Sequence, residues 1–282
     1  MKLTVWDLYF APINVWVEDN LTRAVLDAVW GDPKIHLMAA GGVVAVNGLV
    51  TETPPRLRGS VFGLLDGDFR PDKTADWWKA DCRVLKLPVH EFENLLLRFD
   101  VLAAVAGTSK PAQIESVARD YARSAAWWMA CKATLWTMNN DLGAIVPADP
   151  GVGAVTSETA ALEVITKAAV WTAHPGRRAL WTDAKVQAEL ATWKAIYDAE
   201  LVSTGWTDSF SGKEIFRHLR GHVRGLDAVR PQAGMSAPPS LNSAEHDEDL
   251  GKRMAREMSR RGQVPALFKE IRDCLRAKAS IG

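Results

Sequence analysis

Hydrophobic positions in the first third of the chain alternate between short apolar runs and a segment with helical spacing. The apolar runs have the length of strands and cover residues 13–17, 35–39, 60–65 and 82–87. After the first run comes one apolar helix face, formed by Leu21, Ala24, Val25, Ala28 and Val29. Another apolar segment follows Gly41 and Gly42 and ends at Val50. Short strands separated by helical segments predict an α/β fold with a mainly parallel sheet and right-handed crossovers, flanked by helices.

The rest of the chain has few strand signals. Long segments rich in Ala and Trp run from about residue 98 to 200, and Pro and Gly interrupt them near 145–153 and 173–178. Helices are also predicted near 245–261 and 265–279. The pattern therefore predicts a large helical region on the C-terminal side of the sheet.

These changes of pattern predict three parts. Residues 1–100 form the α/β core, and residues 101–230 form a helical region. Residues 231–282 contain a linker followed by the C-terminal helices. Within this last part, PQAGMSAPPSLNSA at 231–244 has the composition of a flexible loop.

Composition excludes some classes of protein. The 282 residues include 34 basic and 34 acidic side chains, so bulk charge does not argue for nucleic-acid binding. Cys82, Cys131 and Cys274 lie far apart in sequence, which argues against a zinc or disulfide framework and fits a reducing compartment. No signal-peptide pattern and no apolar run of about 18 residues occur. We therefore expect a cytoplasmic protein without a membrane partner.

Acidic residues follow several of the predicted strands. Glu18 stands just after the first strand, Asp66 and Asp68 follow the strand at 60–65, and Glu91 and Glu93 follow the last one. Ligands of parallel sheets bind at the carboxyl ends of strands, where these acids would share one edge. Several carboxylates together repel one another, and they form the oxygen-rich environment that Mg²⁺ or Mn²⁺ prefers.

Each acid also has a simpler interpretation. Asp and Glu are common in turns and at helix N-termini, where they cap backbone N–H groups or favour the helix dipole. Glu91 and Glu93 would point to the same side of an extended segment, but they would diverge in a helical one. Both interpretations remain open at this stage.

A Glu after the first strand and an Asp-x-Asp after a later strand form a pattern that resembles the Toprim domain. The segment LPVHEFENLL also resembles the P-x-x-E-x-E-N block of Toprim nucleases of the OLD (overcoming lysogenization defect) type. Among these, the chain is similar to the stand-alone AriB-like effectors of PARIS phage-defence systems, which partner ABC-type ATPases. The resemblance covers residues 13–97 and resumes at 210–219.

The resemblance implies a Toprim-like fold and a metal-dependent nuclease that acts on DNA or RNA as a toxic effector. It implies an ABC-type ATPase subunit as partner and allows a homodimer on activation. Two ions, Mg²⁺ or Mn²⁺, would serve as cofactors. The implied metal ligands are Glu18, Asp66, Asp68, Glu91 and Glu93. Glu18 is also implied as general base, and Lys213 as the cation that stabilises developing phosphate charge.

Two positions depart from the family pattern Glu-Gly-x-x-Asp. Asp19 stands in place of the glycine, and Thr22 stands in place of the final Asp. Loss of one carboxylate would weaken metal binding. The alternative function is therefore a catalytically weakened Toprim-like scaffold that binds an ATPase or a nucleic acid without cleaving it.

Other motifs have structural alternatives. Gly212-Lys213 lacks the spacing and the Ser or Thr of a phosphate-binding loop, which argues against an intrinsic ATPase, and Lys213 can equally be a helix-start lysine. His90 is expected to be structural. His218 and His222 are spaced like metal ligands, but nearby arginines favour a basic helix face. The tryptophan pairs at 77–78 and 127–128 favour packing or an interface over base stacking.

Overall fold

A computed structural model describes residues 11–69, 82–143, 150–168, 179–226 and 243–281. The strands are β1 (Ile13–Val17), β2 (Ile35–Ala39), β3 (Val61–Leu65) and β4 (Val84–Lys86). The helices are α1 (Asn20–Trp30), α2 (Val43–Thr51), α3 (Phe99–Val105), α4 (Pro111–Ser124), α5 (Ala126–Leu142), α6 (Glu158–Lys167), α7 (Asp183–Leu201), α8 (Gly212–His222), α9 (Ser243–Arg261) and α10 (Ala266–Ile281). Short 3₁₀ turns cover Pro55–Leu57, Phe92–Leu96, Val152–Ala154 and Trp206–Asp208.

The four strands form one sheet in the order β2-β1-β3-β4, and every pair is parallel. Trp16 on β1 is the register partner of Gly63 on β3, which in turn is the partner of Val84 on β4. The predicted parallel α/β fold with a helical C-terminal part is thus confirmed. The apolar segment that ends at Val50 is the helix α2.

The order of the strands reverses around β1. The chain leaves β1, adds β2 on one side, and then returns past β1 to add β3 on the other side. Because right-handed crossovers in opposite directions place their helices on opposite faces, α1 and α2 cover different faces of the sheet. The point where the strand order reverses therefore lies between the carboxyl ends of β1 and β3, and the crevice outside such a point is the usual ligand position in parallel sheets.

One face of the sheet packs closely on α2. Trp16, Val61 and Leu65 form an apolar cluster there with Val46 and Val50 of the helix. Gly63 allows the close approach, because a Cβ at this position would lie 2.7 Å from Val46 Cγ1.

The other layer brings the C-terminal helices against α1. Gly251 of α9 lies where an added Cβ would be 3.1–3.3 Å from Leu21, Ala24 and Val25, so the two helices cross closely. Trp30 Nε1 donates a hydrogen bond to the Phe268 carbonyl of α10 at 2.9 Å. Helices from opposite ends of the described chain therefore share one core.

The chain forms two compact units. The first contains residues 1–114 and 219–282, and the second contains residues 115–218. The C-terminal helices thus belong with the sheet, whereas the sequence pattern had set residues 231–282 apart.

Aromatic residues build the core of the second unit. Trp181 and Trp206 are fully buried, and Tyr197 packs against Phe210 with ring centroids 5.3 Å apart. The Arg119 guanidinium lies 4.8 Å above the Trp206 ring. Of the predicted tryptophan pairs, Trp128 is buried and Trp127 lies under Lys194, which fits packing.

Some predicted features fall outside the described residues, namely the pair at 77–78, the interruption at 173–178 and most of the loop at 231–244. Among the helices that the structure describes, none combines the length and the apolarity needed to cross a bilayer.

An ion pair links the α1–β2 loop to α10. The Asp32 carboxylate accepts hydrogen bonds from Arg276 at 2.6 and 2.9 Å and from the Lys34 backbone N–H at 3.1 Å. Burial of Asp32 opposes ionisation, but the Lys34 N–H and the Arg276 charge outweigh it and lower the pKa of this carboxyl.

We expect Asp32→Asn to destabilise the protein by about 1 kcal/mol at pH 7, because the ion pair is lost while the Lys34 hydrogen bond can persist. A group with a lowered pKa stabilises the folded state above its unfolded pKa of about 3.9, and this stabilisation is lost as the pH falls through the folded pKa. The difference from the wild type should therefore shrink as the pH falls through the lowered pKa of Asp32. Urea unfolding across this pH range measures it, with the exposed Asp27→Asn as control. A difference that persisted at acid pH would contradict the assignment.

Candidate functional site

The acids that follow β1 and β3 meet in the crevice at the carboxyl edge of the sheet. Glu18 comes directly after β1, and its Oε1 accepts a hydrogen bond from the Asp66 backbone N–H at 2.8 Å. Asp66 itself comes directly after β3 and is 8% exposed. The structure thus brings together two residues that are 48 positions apart and that the strand-end pattern had paired.

Asp66 also holds the segment that follows β4. Its Oδ1 accepts a hydrogen bond from the Phe92 backbone N–H at 2.9 Å. Backbone bonds from Gly67 N–H to the Val89 carbonyl and from Asp68 N–H to the His90 carbonyl extend the pairing of β3 and β4 past the strand ends. The segments 66–68 and 89–92 are therefore fixed side by side at this edge.

Gly67 is required by this close approach. A Cβ at position 67 would lie 2.2 Å from the Val89 carbonyl oxygen and 2.4 Å from that of Leu87. The Val89 carbonyl cannot move away without breaking its hydrogen bond from the Gly67 N–H. The glycine between the two aspartates is thus explained by packing of the backbone.

Asp68 has a left-handed backbone, with φ of 50°, and is exposed. Asp tolerates this conformation better than most residues, and such conformations concentrate at functional sites. Asp66 and Asp68 consequently differ in environment, with one carboxylate buried in the crevice and the other at its rim.

Glu91 and Glu93 lie at the start of the 3₁₀ turn Phe92–Leu96. Glu91 is its N-cap and forms a capping box with Asn94, in which each side chain accepts a hydrogen bond from the other residue's backbone N–H. Glu93 is already helical and is 5% exposed. The segment is therefore the helical alternative, in which the two glutamates diverge.

His90 has a buried position at this edge. It is 6% exposed, its Nε2 lies 3.9 Å from Glu91 Oε1, and its ring packs against Phe69 at 4.7 Å. These contacts agree with a structural histidine.

The residues that depart from the Toprim pattern form a helix cap. Asp19 is the N-cap of α1 and accepts a hydrogen bond from the Thr22 backbone N–H at 2.8 Å. Thr22 is buried. Asp19 therefore has a structural role at the start of α1, one residue away from Glu18, and the Thr22 backbone supplies the donor.

Within the described residues, no three side chains of His, Cys, Asp or Glu converge as metal ligands. The donor chemistry at the edge nevertheless suits a hard cation, because every predicted ligand offers carboxylate oxygens. A carboxylate has about four lone-pair positions, so a bond to a backbone N–H does not preclude cation binding. By this chemistry Glu18, Asp66, Asp68, Glu91 and Glu93 all stay predicted ligands, although Glu18, Asp66 and Glu91 each accept a backbone N–H.

Lys213 lies in the first turn of α8. It is the second residue of α8, whose first turn is capped by Ser211 Oγ through the Glu214 backbone N–H at 3.3 Å. Position 213 falls in the second unit, whereas the acids fall in the first. Its role at the site therefore stays a prediction.

The predicted histidine pair on α8 is divided between two environments. The His218 ring stacks on Tyr121 with centroids 4.3 Å apart, whereas His222 is exposed. Burial, and then the charge of Glu214, raise the pKa of Tyr121 to about 12, so the phenol stays protonated. Packing accounts for His218.

Sequence reasoning missed the residues that bind the acids at this edge. The Phe92 N–H holds the Asp66 carboxylate, and the capping box with Asn94 holds that of Glu91. The E-x-x-N spacing at 91–94 has the i, i+3 pattern of a capping box and could have revealed the second. A backbone donor leaves no sequence signal.

Comparison with protein-family models, with curated proteins and with solved structures yields no match to this chain.

Substitutions at Glu18 test the hydrogen bond across the crevice. We expect Glu18→Ala to cost about 1–2 kcal/mol in the free energy of unfolding, because the Asp66 N–H loses its acceptor. Glu18→Gln retains an acceptor oxygen and should stay within about 0.5 kcal/mol of the wild type. Urea unfolding of the three proteins provides the measurement. Equal stability of the alanine variant and the wild type would show that the bond contributes nothing in solution.

Proposed function

We propose that this protein is a divalent-cation-dependent phosphodiesterase that cleaves nucleic acid at the carboxyl edge of its sheet. The observation that carries the proposal is the contact of Glu18 with Asp66 in the crevice between β1 and β3. Acids at this position of a parallel sheet lie where ligands bind. The Toprim-like arrangement of a Glu, an Asp-x-Asp and a Glu-x-Glu supports the same reaction class.

The cations, when bound, would stabilise phosphate charge and lower the pKa of a water molecule. Glu18, Asp66 and Asp68 would hold them, with Glu91 and Glu93 as the further acids of the family pattern. The chain's own residues keep the edge in place, because Asp66 accepts the Phe92 N–H and Gly67 permits the tight pairing with 87–89. Glu18 is also the candidate general base, and Lys213 the candidate cation for the phosphate.

Charge-removing variants that keep the backbone bonds test this reaction. Glu18→Gln, Asp66→Asn and Asp68→Asn should each reduce Mn²⁺-dependent cleavage of DNA or RNA at least about 100-fold. Addition of Mn²⁺ should raise the melting temperature of the wild type through binding linkage, and this shift should be smaller in each variant. Cleavage assays on plasmid DNA, single-stranded DNA and RNA, paired with melting curves, provide the measurements.

Glu52→Gln is the matched control, because Glu52 is an exposed acid at the end of α2 and lies away from the carboxyl edge. It should cleave and respond to Mn²⁺ like the wild type. Undiminished cleavage by folded Glu18→Gln and Asp66→Asn proteins would exclude the proposed site.

A scaffold without cleavage is the second candidate, and the engagement of the acids favours it. Glu18 holds the Asp66 N–H, Asp66 holds the Phe92 N–H, and Glu91 caps a 3₁₀ turn. Each acid thus has a structural reason to be present without a cation. An absent Mn²⁺ shift, absent cleavage and retained partner binding would together support this function.

In both candidates we propose an ABC-type ATPase as the partner, and the support is the resemblance to AriB-like effectors. If the proposal holds, co-expression with an ABC-type ATPase encoded beside this protein should give one complex on size-exclusion chromatography at micromolar concentration. A hexahistidine tag on either subunit should retain the other. Separate elution of the two proteins would count against the partnership.

A further inference from the structure

Two arginines lie at the opposite edge of the sheet from the acids. Arg58 belongs to the turn that leads into β3, and Arg83 directly precedes β4. The Arg83 carbonyl accepts a hydrogen bond from the Gly63 N–H at 2.9 Å, which fixes this residue beside the start of β3. Both arginines are therefore placed at the amino edge of neighbouring strands.

The Arg83 guanidinium is incompletely satisfied. Its Nη1 is buried and has no hydrogen-bond partner within the described residues. Buried donors in folded proteins are nearly always paired, and an exception usually indicates a bound water or ion. The guanidinium is a cation, so an unpaired buried nitrogen is more costly here than a neutral donor would be.

Arg58 is exposed and stands before the neighbouring strand β3. Its Nε donates a hydrogen bond to the Thr53 carbonyl at the end of α2, at 3.4 Å. Thr53 is itself buried and donates its hydroxyl to the Leu49 carbonyl at 2.8 Å. Within the described residues, no carboxylate forms an ion pair with Arg58 or Arg83.

The two positive charges act on each other. Burial, and then the charge of Arg58, lower the pKa of the Arg83 guanidinium. A lysine in this position could relieve the repulsion by losing its proton, but an arginine stays charged at any physiological pH. A bound anion would compensate both charges, in addition to the solvent that reaches the exposed Arg58.

We propose that Arg58 and Arg83 form a binding site for a phosphate-type dianion at the amino edge of β3 and β4. Two guanidiniums offer two positive charges and a fork of donors that matches phosphate oxygens. A phosphate monoester carries about −1.5 to −2 charge at pH 7, which balances the pair more completely than one carboxylate does.

This site is separate from the acidic edge. Five residues of β3 lie between the two edges, and at about 3.3 Å per residue they span about 16 Å. Arg58 and Arg83 therefore cannot supply charge to a phosphate held near Asp66. The proposal does not rest on the hydrolase, and its failure would leave the function of the acidic edge untouched.

Calorimetric titration of the full chain with inorganic phosphate tests the site. The buffer contains EDTA, so that no cation bridges phosphate to the acids, and chloride holds the ionic strength constant. Arg58→Met and Arg83→Met keep the apolar stem and remove the charge. Each should weaken phosphate binding at least about tenfold. Arg56→Met, a change at an exposed arginine of the same turn, should bind phosphate within about twofold of the wild type.

Melting curves give an independent measure. In phosphate-free buffer, Arg58→Met and Arg83→Met should melt at or above the wild type, because each removes a repulsion. Phosphate should then raise the melting temperature of the wild type and of Glu18→Gln, but not that of either arginine variant. A large loss of stability of Arg83→Met without phosphate would show an internal ion pair and overturn the proposal. A phosphate response equal to that of chloride, or equal in Arg83→Met, would also overturn it.

Two oligonucleotides of one sequence identify the source of the phosphate. Tighter binding of a 5′-phosphorylated strand than of its 5′-hydroxyl form, lost in Arg83→Met, would assign the site to a nucleic-acid end. Equal binding of both strands, with phosphate binding retained, would assign it to a free phosphate or a small phosphorylated molecule. Either result supports the site, whereas phosphate binding that is indifferent to Arg58 and Arg83 contradicts it.

Discussion

The hydrogen bond from the Asp66 backbone N–H to the Glu18 carboxylate joins β1 and β3, the two strands between which the strand order reverses. Past the strand ends, backbone pairing joins β1 to β2 and β3 to β4. The Glu18 carboxylate links β1 to β3 there, and the Asp66 carboxylate links β3 to Phe92 after β4. The carboxyl edge of three strands is thus positioned by two side chains. A change at either acid should disturb the geometry of the whole edge, and this couples any chemistry there to the fold.

This double role changes how substitutions at the edge must be interpreted. Alanine removes both the charge and the acceptor for a buried N–H, so a loss of activity in Glu18→Ala would not separate catalysis from structure. Glutamine and asparagine keep an acceptor and remove the charge. A strand-end acid by itself adds little to packing, but the bond from the Asp66 N–H gives Glu18 a structural role as well. Only the amide variants isolate the carboxylate chemistry.

The parallel sheet and the meeting of Glu18 with Asp66 were predictable. The spacing of hydrophobic residues and the position of an acid directly after a strand can both be recognised in the local sequence. Gly63 and Gly251 were not recognised as close-packing positions, since their neighbours Val46 and Leu21 come from distant segments. The sequence did not predict that α9 and α10 belong to the same unit as the sheet. An amphipathic pattern shows that one helix face is covered, but it does not identify the segment that covers it. At the site, the helical start at Glu93 decided between two alternatives that the spacing of Glu91 and Glu93 had left open. The bond from the Phe92 N–H could not have been foreseen, because a backbone donor is the same in every residue.

The first unit separates its charges along the strands, although the chain as a whole carries no net charge. Acids gather where β1, β3 and β4 end, and Arg58 and Arg83 lie where β3 and β4 begin. Like charges at one edge repel, and this cost is offset only by oppositely charged ligands or by hydrogen bonds. The acids are largely compensated by backbone N–H groups within the fold, as the bonds of Glu18, Asp66 and Glu91 show. At the amino edge, Arg58 donates a hydrogen bond to the Thr53 carbonyl, whereas the buried Arg83 Nη1 has no acceptor among the described residues. A bound anion would therefore complete the hydrogen bonding of Arg83 at the amino edge, whereas the carboxyl edge has the chemistry of a reactive site.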